Sequence, residues 1–166
     1  SVAAAVTYIV TEKFMIKEIK FQGNKELSRG SVKDAMALGE KDFFDELRIR
    51  EDLIKITDKY REKGFIDART DYEVRFDTAA SLAFLTVSVV EGKKARVAAV
   101  ELEGAAAFKH KKLLGKLKNR PKKIYAPQDL DEDLKALADF YKNNGYADFK
   151  ITDSSAAFNA ERSSVT

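Results

Sequence analysis

The chain of 166 residues contains no cysteine, one histidine and two prolines. The absence of cysteine excludes disulfide bonds, thiol catalysis and cysteine-ligated metal sites. The single histidine, His110, cannot by itself build a typical transition-metal centre, so we expect no metal ion and no other cofactor. No apolar run approaches the roughly 18 residues that indicate a membrane-spanning helix.

The chain also lacks the residue patterns of an enzyme. Neither "GEKDFF" nor "EGKKAR" has the glycine spacing of a phosphate-binding loop. His110 lies in a basic segment and is interpreted as a solvated side chain. The acidic clusters that begin at Asp42 and Asp129 lie at predicted helix starts, where the helix dipole favours negative charge. We therefore expect a non-enzymatic protein.

One segment, Lys109–Lys123, is rich in basic residues and contains no acidic residue. Three interpretations remain open: a solvated helix face, contact with anionic lipid or an acidic partner, and nucleic-acid binding. No aromatic residues interleave the bases, which weakens the nucleic-acid interpretation. The candidate contacts with an anionic surface are Lys109, Lys111, Lys112, Lys116, Lys118 and Arg120.

What the chain does contain is an internal repeat. "EDLIKITDKYREKGFID" (Glu51–Asp67) returns 81 residues later as "EDLKALADFYKNNGYAD" (Glu132–Asp148), with seven of seventeen positions identical. The same offset aligns "IKEIKFQG" (Ile16–Gly23) with "VAAVELEG" (Val97–Gly104). A unit of about 80 residues is large enough to form a small domain with its own core.

Each repeat predicts the element order β-α-α-β-β. Alternating apolar residues before Gly23 indicate a strand and a turn, and the repeated motif has the spacing of an amphipathic helix. "LAFLTVSVV" (82–90) is the most apolar segment and is predicted to be the central strand. Asp129 and Glu132 predict a capping box for the second copy of the motif helix, while the first copy has no clear cap. The residues predicted to carry this structural motif are Gly23, Asn24, Tyr60, Gly64, Gly104, Tyr141 and Gly145.

The expected fold class is α+β, with tandem units that each form a three-stranded mixed sheet covered by two antiparallel helices. "VTYIVTE" near the N-terminus resembles "LTVSVVE" (85–91). We therefore predict the last strand of a preceding unit at 1–13 and a complete unit at 14–93, termed the first repeat. A second unit with an incomplete last strand is predicted at 94–166, termed the second repeat.

A small sheet of this kind leaves an open edge, whose unpaired backbone groups can bind another extended chain. The alternative is an edge that its own charges, Glu73 and Arg75, protect from pairing. The candidate edge-strand residues are Tyr72, Glu73, Val74, Arg75 and Phe76 in the first repeat, and Phe149, Lys150, Ile151, Thr152 and Asp153 in the second.

With these motifs in order, the chain resembles tandem POTRA (polypeptide-transport-associated) domains. The marks of the resemblance are "IKEIKFQGN", "EDLIKITDKYREKGF", "EDLKALADFYKNNGY" and "VEG" (90–92). The chain looks most like the units of BamA-type outer-membrane β-barrel assembly factors, and the linkers resemble those of the second and third units. Ala105 departs from the pattern, since the family has asparagine where the first repeat has Asn24.

The resemblance implies a periplasmic part of an outer-membrane protein, close to the membrane but not spanning it. Its implied partners are unfolded outer-membrane polypeptides bound by edge-strand augmentation, accessory assembly lipoproteins and a C-terminal β-barrel of the same parent chain. The resemblance implies no nucleic-acid partner. A two-partner secretion transporter or a division protein is the alternative within the fold, and an anionic-surface or nucleic-acid binder through the basic segment is the alternative outside it.

Overall fold

The structure, a computed structural model, describes residues Lys13 to Thr166. The strand predicted at 1–13 therefore lies, apart from Lys13, outside the described residues. The elements in chain order are β1 (Met15–Gln22), α1 (Arg29–Lys33), α2 (Glu46–Glu62), β2 (Arg69–Asp77), β3 (Leu82–Val90), β4 (Arg96–Val97), α3 (His110–Leu114), a 3-10 helix (Pro127–Asp129), α4 (Leu130–Asn143) and β5 (Ser164–Val165).

The first repeat forms a three-stranded mixed sheet in the order β1-β3-β2. β3 pairs in parallel with β1 and antiparallel with β2. Alternate residues of β3, from Ala83 to Val89, are buried against the helices, because successive side chains of a strand point to opposite faces. The predicted α+β class and the central position of β3 are confirmed.

Helix α2 supplies most of the helical side of this core. Its buried face carries Ile49, Leu53, Ile56 and Tyr60. The helix has a clear N-cap that the sequence reasoning missed. Asp45 Oδ1 accepts hydrogen bonds from the backbone N–H groups of Leu47 at 2.9 Å and of Arg48 at 3.2 Å.

The aspartate that follows the first glutamate of each motif copy has a structural role. Asp52 is fully buried and accepts a hydrogen bond of 2.9 Å from Leu38 N–H in the loop before α2. Asp133 does the same in the second repeat, with Lys118 N–H at 2.6 Å and Asn119 N–H at 2.9 Å. The repeated motif therefore ties the preceding loop to its helix.

The second repeat reproduces the start of the sheet but not its full width. β4 pairs in parallel with β5, and Phe158 bridges Val165 in the antiparallel sense. The prediction of an edge strand at Phe149–Asp153 is wrong, since this segment forms no strand. Phe149 instead stacks on Tyr141 with ring centroids 3.9 Å apart, and Ile151 packs against the same apolar cluster.

The predicted capping box at the start of α4 is also wrong. Asp129 makes no capping hydrogen bond to the helix, and its side chain accepts one from Lys118 Nζ at 3.2 Å. A lysine from the preceding segment therefore takes the carboxylate that the helix terminus would otherwise use. No helix between Lys13 and Thr166 is both long and apolar enough to cross a membrane.

Candidate functional site

β2 presents one unpaired edge. Residues 69–77 pair with β3 on one side, and no described residue pairs with the strand on the other. Tyr72 and Val74 pack against the core, whereas Glu73 and Arg75 lie exposed on the opposite face. The Arg75 guanidinium lies 4.2 Å from the centre of the Phe84 ring, so it covers its own sheet. Tyr72 N–H already donates to Asp71 Oδ1 at 2.8 Å, and the other backbone groups on the free side of Tyr72–Phe76 are available for pairing.

Helix α2 runs beside this edge. Thr57 Oγ1 lies 2.8 Å from Thr70 Oγ1 of β2, and Thr70 Oγ1 donates to the Leu53 carbonyl at 3.0 Å. Leu47, Arg50 and Ile54 precede Thr57 at spacings of three and four residues and therefore share its face of the helix. This face meets β2 at Thr57.

The α2 face next to β2 is apolar and exposed. Leu47 is 74% exposed and Ile54 is 61% exposed. Between them lies Arg50, whose pKa is raised mainly by its hydrogen bonds to Glu46 and, to a smaller extent, by Tyr72 of β2. The free edge of β2 together with Leu47, Arg50 and Ile54 is termed the β2–α2 groove. A guest strand in this groove can pair its backbone with β2 and place apolar side chains against α2.

The outer edge of β1 is different, because the chain itself covers its first half. Met15 bridges Phe43, and the Ile16 N–H donates to the Asp42 carbonyl at 2.8 Å. Lys41 N–H returns a hydrogen bond to the Ile16 carbonyl at 2.8 Å. Because these contacts cover part of the outer edge of β1, β2 is the more open of the two edges of the sheet. Sequence reasoning did not find the segment that covers β1.

The basic segment Lys109–Lys123 does not form a uniform charged stripe. Lys118 contacts Asp129 and also Glu132, at 2.6 Å, and both carboxylates raise the pKa of the lysine. Lys112 and Lys116 lie over the Phe140 ring at 5.1 and 5.0 Å. Lys109, Lys111 and Arg120 remain exposed. Much of the positive charge is thus engaged within the second repeat.

The structural-motif residues lie in the turns and cores. Gly23 adopts a φ of +81°, and a Cβ there would approach the Val89 carbonyl oxygen to 2.0 Å, so only glycine fits this turn. Gly104 has a φ of +72° with open space around it. Asn24 donates to the Leu27 carbonyl at 2.9 Å. Tyr60 and Tyr141 are buried in the two cores, and Gly64 and Gly145 follow their helices at φ +90° and +94°.

The two repeats meet at a joint that the sequence reasoning also missed. Gly64 lies against Ile124, and its carbonyl accepts a hydrogen bond of 2.8 Å from Ala95 N–H. Arg162 Nε lies 2.8 Å from both oxygens of Asp67. The signal was present in the motif, since Gly64 and Asp67 are two of its seven repeated identities.

Titratable side chains within 13–166 do not assemble into a metal site. The described part of the chain holds no group of three or more histidine, cysteine or acidic residues that could bind a metal ion.

Comparison with known proteins identifies both repeats. The POTRA family model, described as "Surface antigen variable number repeat", matches residues 14–92 and 95–166. The chain is 22% identical over 169 residues to the outer membrane protein assembly factor BamA of Neisseria meningitidis serogroup B, covering 95% of this chain and 21% of that protein. It is 25% identical over 156 residues to BamA of Nitratidesulfovibrio vulgaris, covering 89% of this chain and 20% of the relative.

A solved structure shares the fold. The crystal structure of Haemophilus influenzae BamA POTRA3-5 superposes with a TM-score of 0.58 at 19% identity, covering 95% of this chain and 66% of that one. The chain spans about a fifth of the length of the curated relatives that it matches.

Proposed function

The chain belongs to the POTRA family, and from this premise we propose that it is a periplasmic scaffold in outer-membrane protein assembly. It binds unfolded outer-membrane polypeptides as extended segments in the β2–α2 groove. The observation that carries this proposal is the unpaired edge at Tyr72–Phe76 beside the exposed Leu47 and Ile54.

The chemistry of the groove suits a guest of variable sequence. Hydrogen bonds to β2 come from the guest backbone, which every polypeptide carries, and Leu47 and Ile54 add apolar contact without demanding a particular side chain. The contact is small, and ordering an unfolded guest has an entropic cost, so binding is weak and rapidly reversible. These properties fit a scaffold that receives a polypeptide and passes it on.

The wider setting of the scaffold is part of the same proposal. The matched relatives are named as outer membrane protein assembly factors and are about five times longer than this chain. We accordingly propose that the two repeats act beside a β-barrel of the same parent chain and dock accessory lipoproteins. The basic segment carries no second proposal, because Lys112, Lys116 and Lys118 are engaged within the second repeat.

An NMR titration with matched peptides tests the groove. The probe is a peptide of about ten residues with alternating valine and threonine, the length of a membrane β-strand. Amide shifts are expected along Tyr72–Phe76 and on α2 near Leu47 and Ile54. The control peptide has the same side chains but N-methylated amides along one edge, which removes its hydrogen-bond donors.

The expected result is that the N-methylated peptide binds at least tenfold more weakly. Equal binding of both peptides, or shifts confined to α1, α3 and α4, would contradict edge augmentation. The double variant Leu47→Ser, Ile54→Ser keeps the fold, because both side chains are exposed, and it should weaken binding several-fold while leaving the shifts along β2 in place.

A further inference from the structure

The two repeats start from the same backbone frame. The segment before the motif helix pairs with the first strand through matching bonds at an offset of 81 residues. In the first repeat, Ile16 N–H donates to the Asp42 carbonyl, Lys41 N–H to the Ile16 carbonyl and Phe44 N–H to the Phe14 carbonyl. In the second repeat, the same three bonds run from Val97 N–H to Lys123, from Lys122 N–H to Val97 and from Tyr125 N–H to Ala95. The outer surfaces of the two frames can therefore be compared position by position.

In the second repeat, the first repeat covers this surface. The turn that follows α2, Gly64–Asp67, lies on it. A Cβ placed on Gly64 would lie 2.4 Å from Ile124 Cγ2, and Ile66 packs against the cluster that contains Ala95 and Tyr125. Ala95 is fully buried and Tyr125 is nearly so.

Charged groups fasten the rim of this contact. Asp67 accepts from Arg162, whose guanidinium lies 4.5 Å from the centre of the Phe158 ring. Lys93 contacts Glu161 at 2.7 Å. Because both ion pairs are exposed, they contribute little to the binding energy between the two repeats. Their main effect is to orient the turn on the surface.

In the first repeat, the same surface is aromatic, and the residues from Lys13 onward leave much of it exposed. At the offset of 81, the counterparts of Ala95, Ile124 and Tyr125 are Phe14, Phe43 and Phe44. Phe158 corresponds to Phe76 through strand pairing, because Phe158 bridges Val165 and Phe76 pairs with Ala83, the partners of Val97 and Ile16. Phe14, Phe43, Phe44 and Phe76 are here termed the aromatic patch. Phe43 is 56% exposed and Phe76 is 41% exposed. Phe76 is in ring contact with Phe14 at 4.6 Å and with Phe44 at 5.4 Å. A contiguous exposed aromatic cluster on a monomer indicates an interaction surface.

We propose that the aromatic patch is the docking surface for the helix-terminal turn of the second repeat, Gly145–Asp148, of another copy of this chain. The partner's chemistry follows from the turn that occupies the equivalent surface: a glycine at positive φ, whose carbonyl accepts a backbone hydrogen bond, then an aromatic residue, an apolar residue and an aspartate. The glycine lets the turn approach the frame without a Cβ, as Gly64 does at Ile124.

This chain also carries a turn of that kind on its second repeat. Gly145–Asp148 repeats Gly64–Asp67, with φ +94° at Gly145 against +90° at Gly64. Nothing lies within 4 Å of a Cβ built at Gly145, and Tyr146 is 45% exposed where its counterpart Phe65 is 7% exposed. One copy therefore offers the patch and the turn at opposite ends, so two copies can associate head to tail.

The docked turn meets a different set of charges on the patch. No arginine of the first repeat occupies the position of Arg162, and Lys13 Nζ lies 5.9 Å from the centre of the Phe43 ring. Association at the patch consequently depends on apolar contact and should persist at high salt, where exposed ion pairs are screened.

Self-association of the chain tests the proposal, with a second copy as the probe. The absence of cysteine allows a single spin label to be placed at an introduced cysteine near Asp148. At about 1 mM protein, the concentration range of weak contacts, the label should broaden the amides of Phe43 and Phe44 in a second, unlabelled, isotope-enriched copy. Absence of intermolecular broadening at this concentration overturns the proposal.

Two variants make the test directional. Phe43→Ser removes the patch and Ala147→Glu blocks the turn, and both changed side chains are exposed, so each variant folds. Each variant alone should stay monomeric in sedimentation velocity. A mixture of the two should form a dimer and nothing larger, because only one patch and one turn remain competent. Val90→Ser, an equally exposed apolar position at the other end of β3, is the control and should associate like the unchanged chain.

Association that survives both substitutions, or a mixture that behaves like either variant alone, contradicts the docking surface. Phe76 belongs both to the aromatic patch and to the edge of the β2–α2 groove, whereas Phe43 and Ala147 belong only to the surfaces tested here. Peptide binding that persists in Phe43→Ser while self-association is lost would therefore separate patch docking from the groove.

Discussion

The two repeats share the motif helix and the frame beside it, but their sheets differ in the length of strand that is present. In the first, β3 pairs over nine residues with β2 and over most of that length with β1. In the second, the corresponding pairing is limited to Ser164 and Val165. The segments that would form its outer strands pack as an apolar cluster around Tyr141 instead.

The comparison distinguishes the residues that hold the helical half of a unit from those that hold its sheet. The repeated motif holds the helical half of each unit through a buried aspartate, an apolar helix face and a glycine stop. The sheet of the first repeat depends on β3, which pairs with both outer strands, because a two-stranded pair is marginal by itself. In the second repeat the counterpart of β3 begins at Ser164, and only its residues from Ser164 to Thr166 are present, so the two sheets can be compared only over this stretch.

The largest expected effect comes from removing the buried aspartates. Asp52→Ala and Asp133→Ala each leave buried backbone N–H groups without an acceptor. Each should lower the free energy of unfolding by about 3 kcal/mol, measured by guanidinium chloride unfolding. Similar losses would show that the helical half is built alike in both repeats.

A second repeated aspartate of the motif supplies the matched control. Asp58 and Asp139 are exposed, and their replacement by alanine should change stability by less than about 0.5 kcal/mol. A loss at Asp133 as small as that at Asp139 would show that the second loop does not depend on its buried carboxylate.

The pH dependence of stability adds to the Asp52 test. Burial alone would raise the pKa of Asp52, but hydrogen bonds from the Ala37 and Leu38 backbone and from Lys55 outweigh it and hold the pKa below its usual value. The folded pKa is thus lower than the unfolded one, so the stabilisation is present above the unfolded pKa of about 3.9 and is lost as pH falls through the folded pKa. Asp52→Asn should flatten this acid-side loss.

Substitution of the turn glycines gives the next effect and reports on the joint. Gly64→Ala and Gly145→Ala both place a side chain at positive φ, which costs about 1 kcal/mol. At Gly64 the added methyl also meets Ile124 across the joint, whereas at Gly145 it meets open space. Thermal unfolding should show a loss for Gly64→Ala that exceeds that for Gly145→Ala by about 1 kcal/mol. Equal losses would mean that the contact between Gly64 and Ile124 adjusts to the added methyl group without a cost in stability.

The smallest effect concerns the two motif tyrosines. Neither Tyr60 Oη nor Tyr141 Oη has a hydrogen-bond partner among the described residues. Burial and then the nearby Glu91 carboxylate raise the pKa of Tyr60, but Glu91 Oε1 already accepts from Lys25 and Glu26 N–H at 2.7 Å. Tyr141→Phe should raise stability by up to about 1 kcal/mol, since it removes a buried hydroxyl without a partner.

The same substitution in the first repeat sharpens the contrast. Tyr60→Phe should give a smaller gain, because Glu91 lies near that hydroxyl. Calorimetric unfolding of both variants decides the point, and a clear loss of stability in Tyr141→Phe would reveal a partner for its hydroxyl.

Local features of the sequence predicted most of the helices and strands. The N-cap at Ser28, the alternation along β2 and the apolar run of β3 appear where propensity and periodicity indicate. After Ser28, the apolar residues up to Leu38 and the following Gly39 predict a helix that continues to Leu38. The observed α1 ends at Lys33, and the apolar residues after it pack from a loop. Short helices are set by packing more than by propensity, so periodicity alone misplaced this end.

Features that need a distant partner were misjudged. The capping box at Asp129 failed because Lys118 takes the carboxylate, and the strand at Phe149–Asp153 failed because Phe149 stacks on Tyr141. The β2–α2 groove was half anticipated: the edge at Tyr72–Phe76 follows from strand order, but the exposed Leu47 and Ile54 gain meaning only when α2 lies beside it.

The sequence by itself determined that this protein consists of two related α+β units. Hydrophobic periodicity and turn residues act locally, and both occur twice along the chain at the same offset. The tertiary structure decided which surfaces remain open. The same frame is covered by Gly64–Asp67 in the second repeat, and at the aromatic patch of the first repeat the described residues leave it exposed, since burial depends on which neighbour lies against a residue as well as on the residue itself.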